Sequence, residues 1–134
     1  MLKYAGAYLA TAVVFVGLDA FWLTFIGPKL YAPVQGVLLT GGVRIGPAIA
    51  FYLMMIAGLV FLAVRPALAS GQASQALVSG AALGLVSYGT YALTNQAIMK
   101  GWTLSMSLPD MAWGTLIGGL GSTAGYFVAR WLSK

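Results

Sequence analysis

Four long apolar runs fill almost the whole of this 134-residue sequence, and its only acidic residues are Asp19 and Asp110. Hydrophobic residues make up 60% of the chain and charged residues 7%, whereas a soluble domain carries about 25% charged residues. Lipid tails, unlike water, accept apolar side chains on the outside of a helix bundle. The sequence therefore predicts an all-α fold, an integral membrane four-helix bundle.

The predicted helices belong to a single transmembrane domain that covers residues 1–134. Each apolar run is close to the roughly 20 residues that cross about 30 Å of hydrocarbon. The first run resembles a signal peptide but is too long for a typical apolar signal core, so we expect it to be a retained span. The predicted helices are residues 4–26, 45–64, 75–99 and 110–132.

The net charge of +5 comes from seven basic residues that lie singly near the ends of the runs. A nucleic-acid-binding protein would cluster such residues into a stripe, so we expect the lipid bilayer and no nucleic acid as a partner. Four crossings would place Lys3, Arg65, Arg130 and Lys134 on the side of the termini, and Lys29, Arg44 and Lys100 on the other. This excess of one favours a multi-pass membrane protein with cytoplasmic termini.

The predicted topology brings polar side chains from all four helices into one half of the membrane. An ionisable group inside a membrane helix costs about 2.5–3.5 kcal/mol, so Asp19 should face the bundle and find a partner. The candidate partners are Arg44, Lys100, Tyr91 and Asn95. We predict a ligand-binding cluster there, made of Asp19, Trp22, Tyr52, Tyr91, Asn95, Asp110 and Trp113.

Both acids also have a purely structural interpretation. A buried Asp19 would fix the register of its helix without binding a ligand. Asp110 follows Pro109 just before an apolar run, which is the position of an N-cap whose carboxylate accepts backbone N–H groups. Each acid is followed three residues later by a tryptophan, Trp22 or Trp113, and residues three apart share one face of a helix.

Glycines at helical spacing mark the predicted contact between the third and fourth helices. Small residues let two helix backbones approach closely. We expect an antiparallel hairpin within the chain in which Gly80 and Gly84 meet Gly121 and Gly125. Packing of the same ridge against a second copy of the chain or a membrane partner subunit is the alternative. The ridge on the fourth helix is Gly114, Gly118, Gly121 and Gly125.

The composition removes most catalytic and metal chemistry, because the sequence has no His, Cys or Glu. The chain therefore cannot provide histidine ligands, thiolate nucleophiles or the usual catalytic triads, and we expect no metal and no cofactor. The leading hypothesis is a non-enzymatic protein that binds a small or lipid-like ligand, or a partner subunit, at the polar cluster. Two alternatives stay open: a small transporter or proton-coupled permease in which Asp19 titrates, and a membrane-embedded lipid-modifying enzyme.

Four segments, Leu18–Leu23, Phe51–Leu53, Tyr88–Asn95 and Asp110–Gly114, carry a family resemblance. Together they resemble the signature blocks of domain of unknown function family 2177, a bacterial family of small, predicted four-span membrane proteins. The resemblance runs across nearly the whole chain and implies the same fold. The family pattern usually has an acid where this chain has Ala92, so the resemblance implies that an activity depending on that acid is absent here.

Overall fold

An apolar run in lipid must satisfy its own backbone hydrogen bonds, and a helix does this within a single segment. The computed structural model describes residues 1–34 and 44–134, which form long helices and no strand. We name the helices α1 (Leu2–Leu30), α2 (Ile45–Ser70), α3 (Ala73–Ile98) and α4 (Leu104–Leu132). A short 3-10 turn, Ala32–Val34, follows α1. The predicted all-α membrane bundle is confirmed.

Three of these helices, α1, α2 and α3, are long and apolar enough to cross a membrane. Only 22–28% of their most apolar segments is buried inside the bundle, so most of their surface is available to lipid. The fourth, α4, has 29 residues and is about 43 Å long. It packs against both α1 and α3. Its buried glycines are Gly114, Gly118, Gly119, Gly121 and Gly125.

α1 and α2 both continue past prolines at which the sequence suggested an end. In each helix a wide π-turn, Trp22–Ile26 or Val60–Val64, stops two residues before the proline, Pro28 or Pro66. A proline ring inside a regular helix clashes with the carbonyl four residues earlier, and a wider turn moves that carbonyl away. α1 therefore reaches Leu30, and α2 ends only before Gly71, whose φ is +72°.

The α3–α4 contact is a glycine-mediated backbone approach, in a different register from the expected one. A Cβ atom on Gly84 would overlap the carbonyl oxygen of Gly114, and one on Gly80 would overlap that of Gly118. Gly121 and Gly125 face α1 instead, so their expected pairing with Gly80 and Gly84 is wrong. All four glycines lie within about 60° of one another round α4, so the change of neighbour follows the position along the helix and not a rotation round it. On α4, Gly114 and Gly118 therefore pack against α3, and Gly121 and Gly125 pack against α1.

The two ends of the bundle are packed differently. The end that holds the termini is closed by small residues around Tyr126, whereas aromatic side chains dominate the other end. Small side chains leave helices close together, and large rings hold them apart. The two carboxyl groups, Asp19 and Asp110, lie towards the aromatic end, where α1 stops and α2 starts.

Candidate functional site

A pocket of about 500 Å³ opens between the end of α1, the start of α2 and the second half of α3. Its volume lies within the range of pockets that hold small molecules. The lining combines aromatic rings with two carboxyl groups and contains no basic residue from the described part of the chain. The lining residues are Asp19, Trp22, Leu23, Tyr31, Phe51, Tyr52, Ser87, Tyr88, Thr90, Tyr91 and Asp110.

Asp19 joins three helices at the inner wall of the pocket and is only 5% exposed. The hydroxyl of Tyr52 on α2 donates to its Oδ2, and the indole nitrogen of Trp113 on α4 donates to its Oδ1 over 3.2 Å. Each oxygen therefore has a neutral donor. None of the four partners that the sequence suggested donates to it, and the two basic ones, Arg44 and Lys100, are exposed.

Asp110 lies on α4, is 4% exposed and accepts a hydrogen bond from the hydroxyl of Tyr31. Its other oxygen, Oδ2, is buried and has no hydrogen-bond partner among the described residues. The predicted N-cap role is wrong, because α4 begins at Leu104 after the N-cap residue Thr103. Asp110 is therefore inside the helix, with a side chain that faces the pocket.

Tertiary packing explains why α4 begins before Pro109. Trp102 and Met106, 5% and 3% exposed, pack against Ala92 in the cluster that closes this end of α3. The indole nitrogen of Trp102 donates to Ser107 Oγ over 2.9 Å, and that hydroxyl donates to the Ala92 carbonyl. These contacts hold the first turns of α4 helical despite the proline.

Two tryptophans stack beside the carboxyl groups. The rings of Trp22 and Trp113 have centroids 4.9 Å apart and planes 17° apart, which is a stacked arrangement. Trp113 uses its indole nitrogen on Asp19. Trp22 is 7% exposed, and its indole nitrogen lies near the Tyr31 hydroxyl but has no partner with normal hydrogen-bond geometry among the described residues. The wall therefore contains an unpaired donor, Trp22 Nε1, as well as an unpaired acceptor, Asp110 Oδ2.

Tyr31 follows directly after α1 and closes the pocket next to Trp102. Its ring stacks on that of Trp102 with centroids 5.4 Å apart, and Tyr91 meets Trp102 edge-on at 5.8 Å. Burial raises the pKa of the Tyr31 hydroxyl, and the hydrogen bond to Asp110 raises it further. Tyr31 therefore stays protonated and acts as a donor at neutral pH.

The structure brings together most of the residues that the sequence nominated. Asp19, Trp22, Tyr52, Tyr91 and Asp110 line the pocket. Trp113 lies behind them and reaches the site through its contacts with Asp19 and Trp22. Asn95 lies outside the lining, and its Nδ2 is buried without a partner among the described residues.

Several wall residues were not nominated from the sequence. Tyr31 belongs to the connection after the first apolar run, and nothing in its neighbourhood indicates that it folds back over α4. Tyr88 lies on the same face of α3 as Tyr91 and Asn95, so the spacing of 3 or 4 residues was the available signal. Phe51 precedes Tyr52 and packs edge-on against it and against Tyr88, at 5.2 and 6.5 Å.

Two further clefts lie nearer the termini and differ in chemistry. One, of about 530 Å³, runs between α1 and α2 and includes Tyr8 and Arg65. The other, of about 240 Å³, includes Lys3 and Arg130. Neither contains an acidic residue, so both carboxyl groups of the chain belong to the pocket beside α3.

Comparison with known families now identifies the chain. The family model described as Predicted membrane protein (DUF2177) matches residues 4–127. The chain therefore belongs to this family of predicted membrane proteins, and the resemblance seen in the sequence is confirmed. No significant match was found among curated proteins or solved structures. Family membership and the three apolar helices establish a membrane protein.

Proposed function

We propose that this member of the DUF2177 family is a non-enzymatic membrane protein that binds a small or lipid-like ligand in the pocket beside α3. The observation that carries the proposal is the pair of unpaired groups, Trp22 Nε1 and Asp110 Oδ2, in a wall lined mainly by aromatic rings. Buried polar groups are almost always hydrogen-bonded. A ligand in the pocket would supply the missing partners.

Binding is favoured over catalysis because the sequence has no His, Cys or Glu, the residues that most often act as nucleophile or general base. Both oxygens of Asp19 accept hydrogen bonds, from Tyr52 and Trp113, so this carboxylate is fixed in place. Asp19 is better suited to holding the wall of a binding site. The aromatic rings around it provide the apolar surface that a lipid-like molecule requires.

Native mass spectrometry of the gently extracted protein tests this proposal. Wild type should carry a bound small molecule or lipid that is lost in Asp19→Asn, because an amide cannot accept from both Tyr52 and Trp113. The control is Tyr8→Phe, which removes a hydroxyl in the cleft between α1 and α2. Retention by Tyr8→Phe together with loss in Asp19→Asn places the ligand beside α3. Bare protein in all three samples contradicts the proposal and favours a role for the acids in packing alone.

A small proton-coupled transporter is the second candidate, favoured by the location of Asp19 at the inner wall of the pocket without a basic partner. Membrane carboxylates of this kind occur along proton and substrate paths. Transport into proteoliposomes would then be lost in Asp19→Asn while the variant stays folded. Against this candidate, glycine and alanine contacts pack the centre of the terminal half of the bundle, and both clefts there lack an acidic residue.

For the placement in the cell, we infer that α4 crosses the membrane with the other three helices. Its outer face carries apolar side chains that match a lipid environment, including Leu108, Leu116 and Phe127. With four crossings both termini share one side, and the distribution of basic residues supports the cytoplasmic side of the inner membrane. The pocket would then face the opposite half of the bilayer.

A further inference from the structure

We infer that the ligand of this pocket is an organic cation, an ammonium group carried on a small apolar body. The inference rests on the proposed function, because it specifies the chemical class of the ligand that the pocket beside α3 takes. It follows from the charges of the wall, from the unpaired groups in it, and from the aromatic rings around them.

The pocket wall contains two acidic residues, Asp19 and Asp110, and no basic residue from the described part of the chain. Asp19 and Asp110 are both at least 95% buried, since their exposed fractions are 5% and 4%. Their hydrogen-bond donors, Tyr52, Trp113 and Tyr31, are all neutral. A buried carboxylate is costly unless a cation accompanies it. No lining residue supplies one from the described part of the chain, so a cationic ligand would complete the site.

Asp110 offers the free position for that cation. Tyr31 occupies Oδ1, and Oδ2 is left for a donor from the pocket. An ammonium N–H donating to this oxygen would form a charge-assisted hydrogen bond, which is about twice as strong as a neutral one. The unpaired Trp22 Nε1 is a separate observation and calls for an acceptor. A ligand with an oxygen near its ammonium group satisfies both.

The aromatic walls suit the same ligand. Trp22, Tyr31, Tyr52, Tyr88 and Tyr91 all line the pocket, so a cation at Asp110 lies among ring faces and edges. Such rings attract ammonium groups, most strongly where water is excluded. An anionic ligand would meet the two carboxyl groups and is disfavoured. The basic clefts with Arg65, or with Lys3 and Arg130, lie elsewhere.

The test compares a charged probe with a neutral one of the same shape. Wild type in phosphatidylglycerol nanodiscs, which contain no amine lipid, is titrated with 2-phenylethylammonium and with 2-phenylethanol. Tryptophan fluorescence follows binding, because Trp22 and Trp113 lie at the site. The matched variants are Asp110→Asn and Trp131→Phe. Trp131 is 68% exposed and lies outside the pocket, so its loss reports background fluorescence and partitioning into lipid.

We expect saturable binding of the ammonium probe that is at least about tenfold tighter than that of the alcohol, as one charge-assisted hydrogen bond implies. Asp110→Asn should remove this difference and Trp131→Phe should keep it. Equal binding of the two probes overturns the cation inference and leaves the proposed function intact. Binding of neither probe, together with no co-purified molecule, overturns both. If Asp110→Asn does not fold, the wild-type comparison remains decisive once the enrichment of the cation on empty phosphatidylglycerol nanodiscs has been subtracted.

A second arm distinguishes the sources of the ammonium group. Phosphatidylethanolamine presents an ammonium headgroup from the bilayer, whereas a free amine arrives from water. Adding phosphatidylethanolamine to the nanodiscs should displace 2-phenylethylammonium if the lipid is the ligand. Undiminished binding of the probe assigns the site to a free amine. Either result supports the ammonium chemistry once the first arm has shown a preference for the charged probe.

Discussion

The indole nitrogen of Trp113 donates to Asp19 across 94 residues of sequence, over a distance of 3.2 Å. Tyr52 donates to the other oxygen of the same carboxyl group. One side chain on α1 therefore connects α2 and α4, at the inner wall of the pocket. The pocket geometry and the stability of this end of the bundle consequently depend on the same contacts.

Tyr52→Phe should lower the free energy of unfolding by about 1–3 kcal/mol, because it leaves a buried carboxylate oxygen without its donor. The control is Tyr8→Phe, since Tyr8 also bridges α1 and α2, by donating to the Leu53 carbonyl over 3.0 Å at an exposed position. That variant should lose less than about 1 kcal/mol. Unfolding of both in detergent micelles, followed by circular dichroism, makes the comparison. Equal losses would show that burial at Asp19 adds nothing.

Gly84→Ala should destabilise the bundle by about 1–3 kcal/mol, as overpacking in a close contact does. The added Cβ meets the carbonyl oxygen of Gly114, which is backbone and cannot rotate away. Gly17→Ala is the matched control in α1, because nothing lies within 4 Å of a Cβ there. It should be neutral or stabilising by up to about 1 kcal/mol. Similar effects at both positions in micelle unfolding would exclude the close α3–α4 approach.

The glycine contacts show which part of the helix packing can be predicted from the sequence. Spacings of 3 and 4 predict that Gly80 and Gly84 lie on one face of α3, and that prediction requires only helical geometry. The choice of partner depends on how far α3 and α4 slide and rotate against each other. Large side chains such as Tyr88, which packs against Gly114, set that register. Periodicity within one helix contains no information about it.

The candidate site could also be predicted only in part: the inward position of Asp19 was predictable, but its partners and the role of Asp110 were not. A carboxyl group in an apolar helix must face the protein interior, and this rule located Asp19. The hydrogen-bond partners of Asp19 are neutral donors, Tyr52 and Trp113, because the nearest basic residues lie at exposed helix ends. Asp110 was misassigned to an N-cap because Pro109 is a common signal for a helix start. Packing of Trp102 and Met106 extended α4 beyond that signal.

Ser107→Ala should lower the free energy of unfolding by about 1–3 kcal/mol, because it loosens the packing at the pocket end of the bundle. It leaves the indole nitrogen of Trp102 buried without its acceptor and removes the bond to the Ala92 carbonyl. Ser105→Ala is the control, since Ser105 is exposed and pairs only with Thr103 among the described residues. Its loss should stay below about 0.5 kcal/mol. A difference smaller than this between the two variants contradicts the anchoring role of Trp102.

Single-cysteine labelling tests the placement in the membrane, because the natural sequence contains no Cys to interfere. Ser133→Cys lies at the end of α4 and Ser105→Cys in its first turn, and both positions are exposed. In intact cells a membrane-impermeant maleimide should label Ser105→Cys and spare Ser133→Cys, if the termini are cytoplasmic. The reverse pattern inverts the orientation. Labelling of both on the same side shows that α4 does not cross the membrane.

Deletion of Thr24 should weaken ligand binding and lower the free energy of unfolding by about 3 kcal/mol, because Pro28 then lies in a regular helix, while the helices still form. The π-turn rests on a hydrogen bond from the Gly27 N–H to the Trp22 carbonyl, one residue longer than in a regular helix. Removing Thr24, which is exposed, restores regular spacing while the residues on either side keep their faces. Trp22 and Tyr31 then move closer along α1, and the pocket between them narrows. Circular dichroism should retain the helical signal, whereas native mass spectrometry should show less bound ligand.

Deletion of Gly17 is the contrasting variant, because in a regular helix it rotates all later residues by about 100°. Asp19 would then leave the core, and the bundle should unfold. Full binding after deletion of Thr24 would mean that the wide turn serves only to accommodate Pro28.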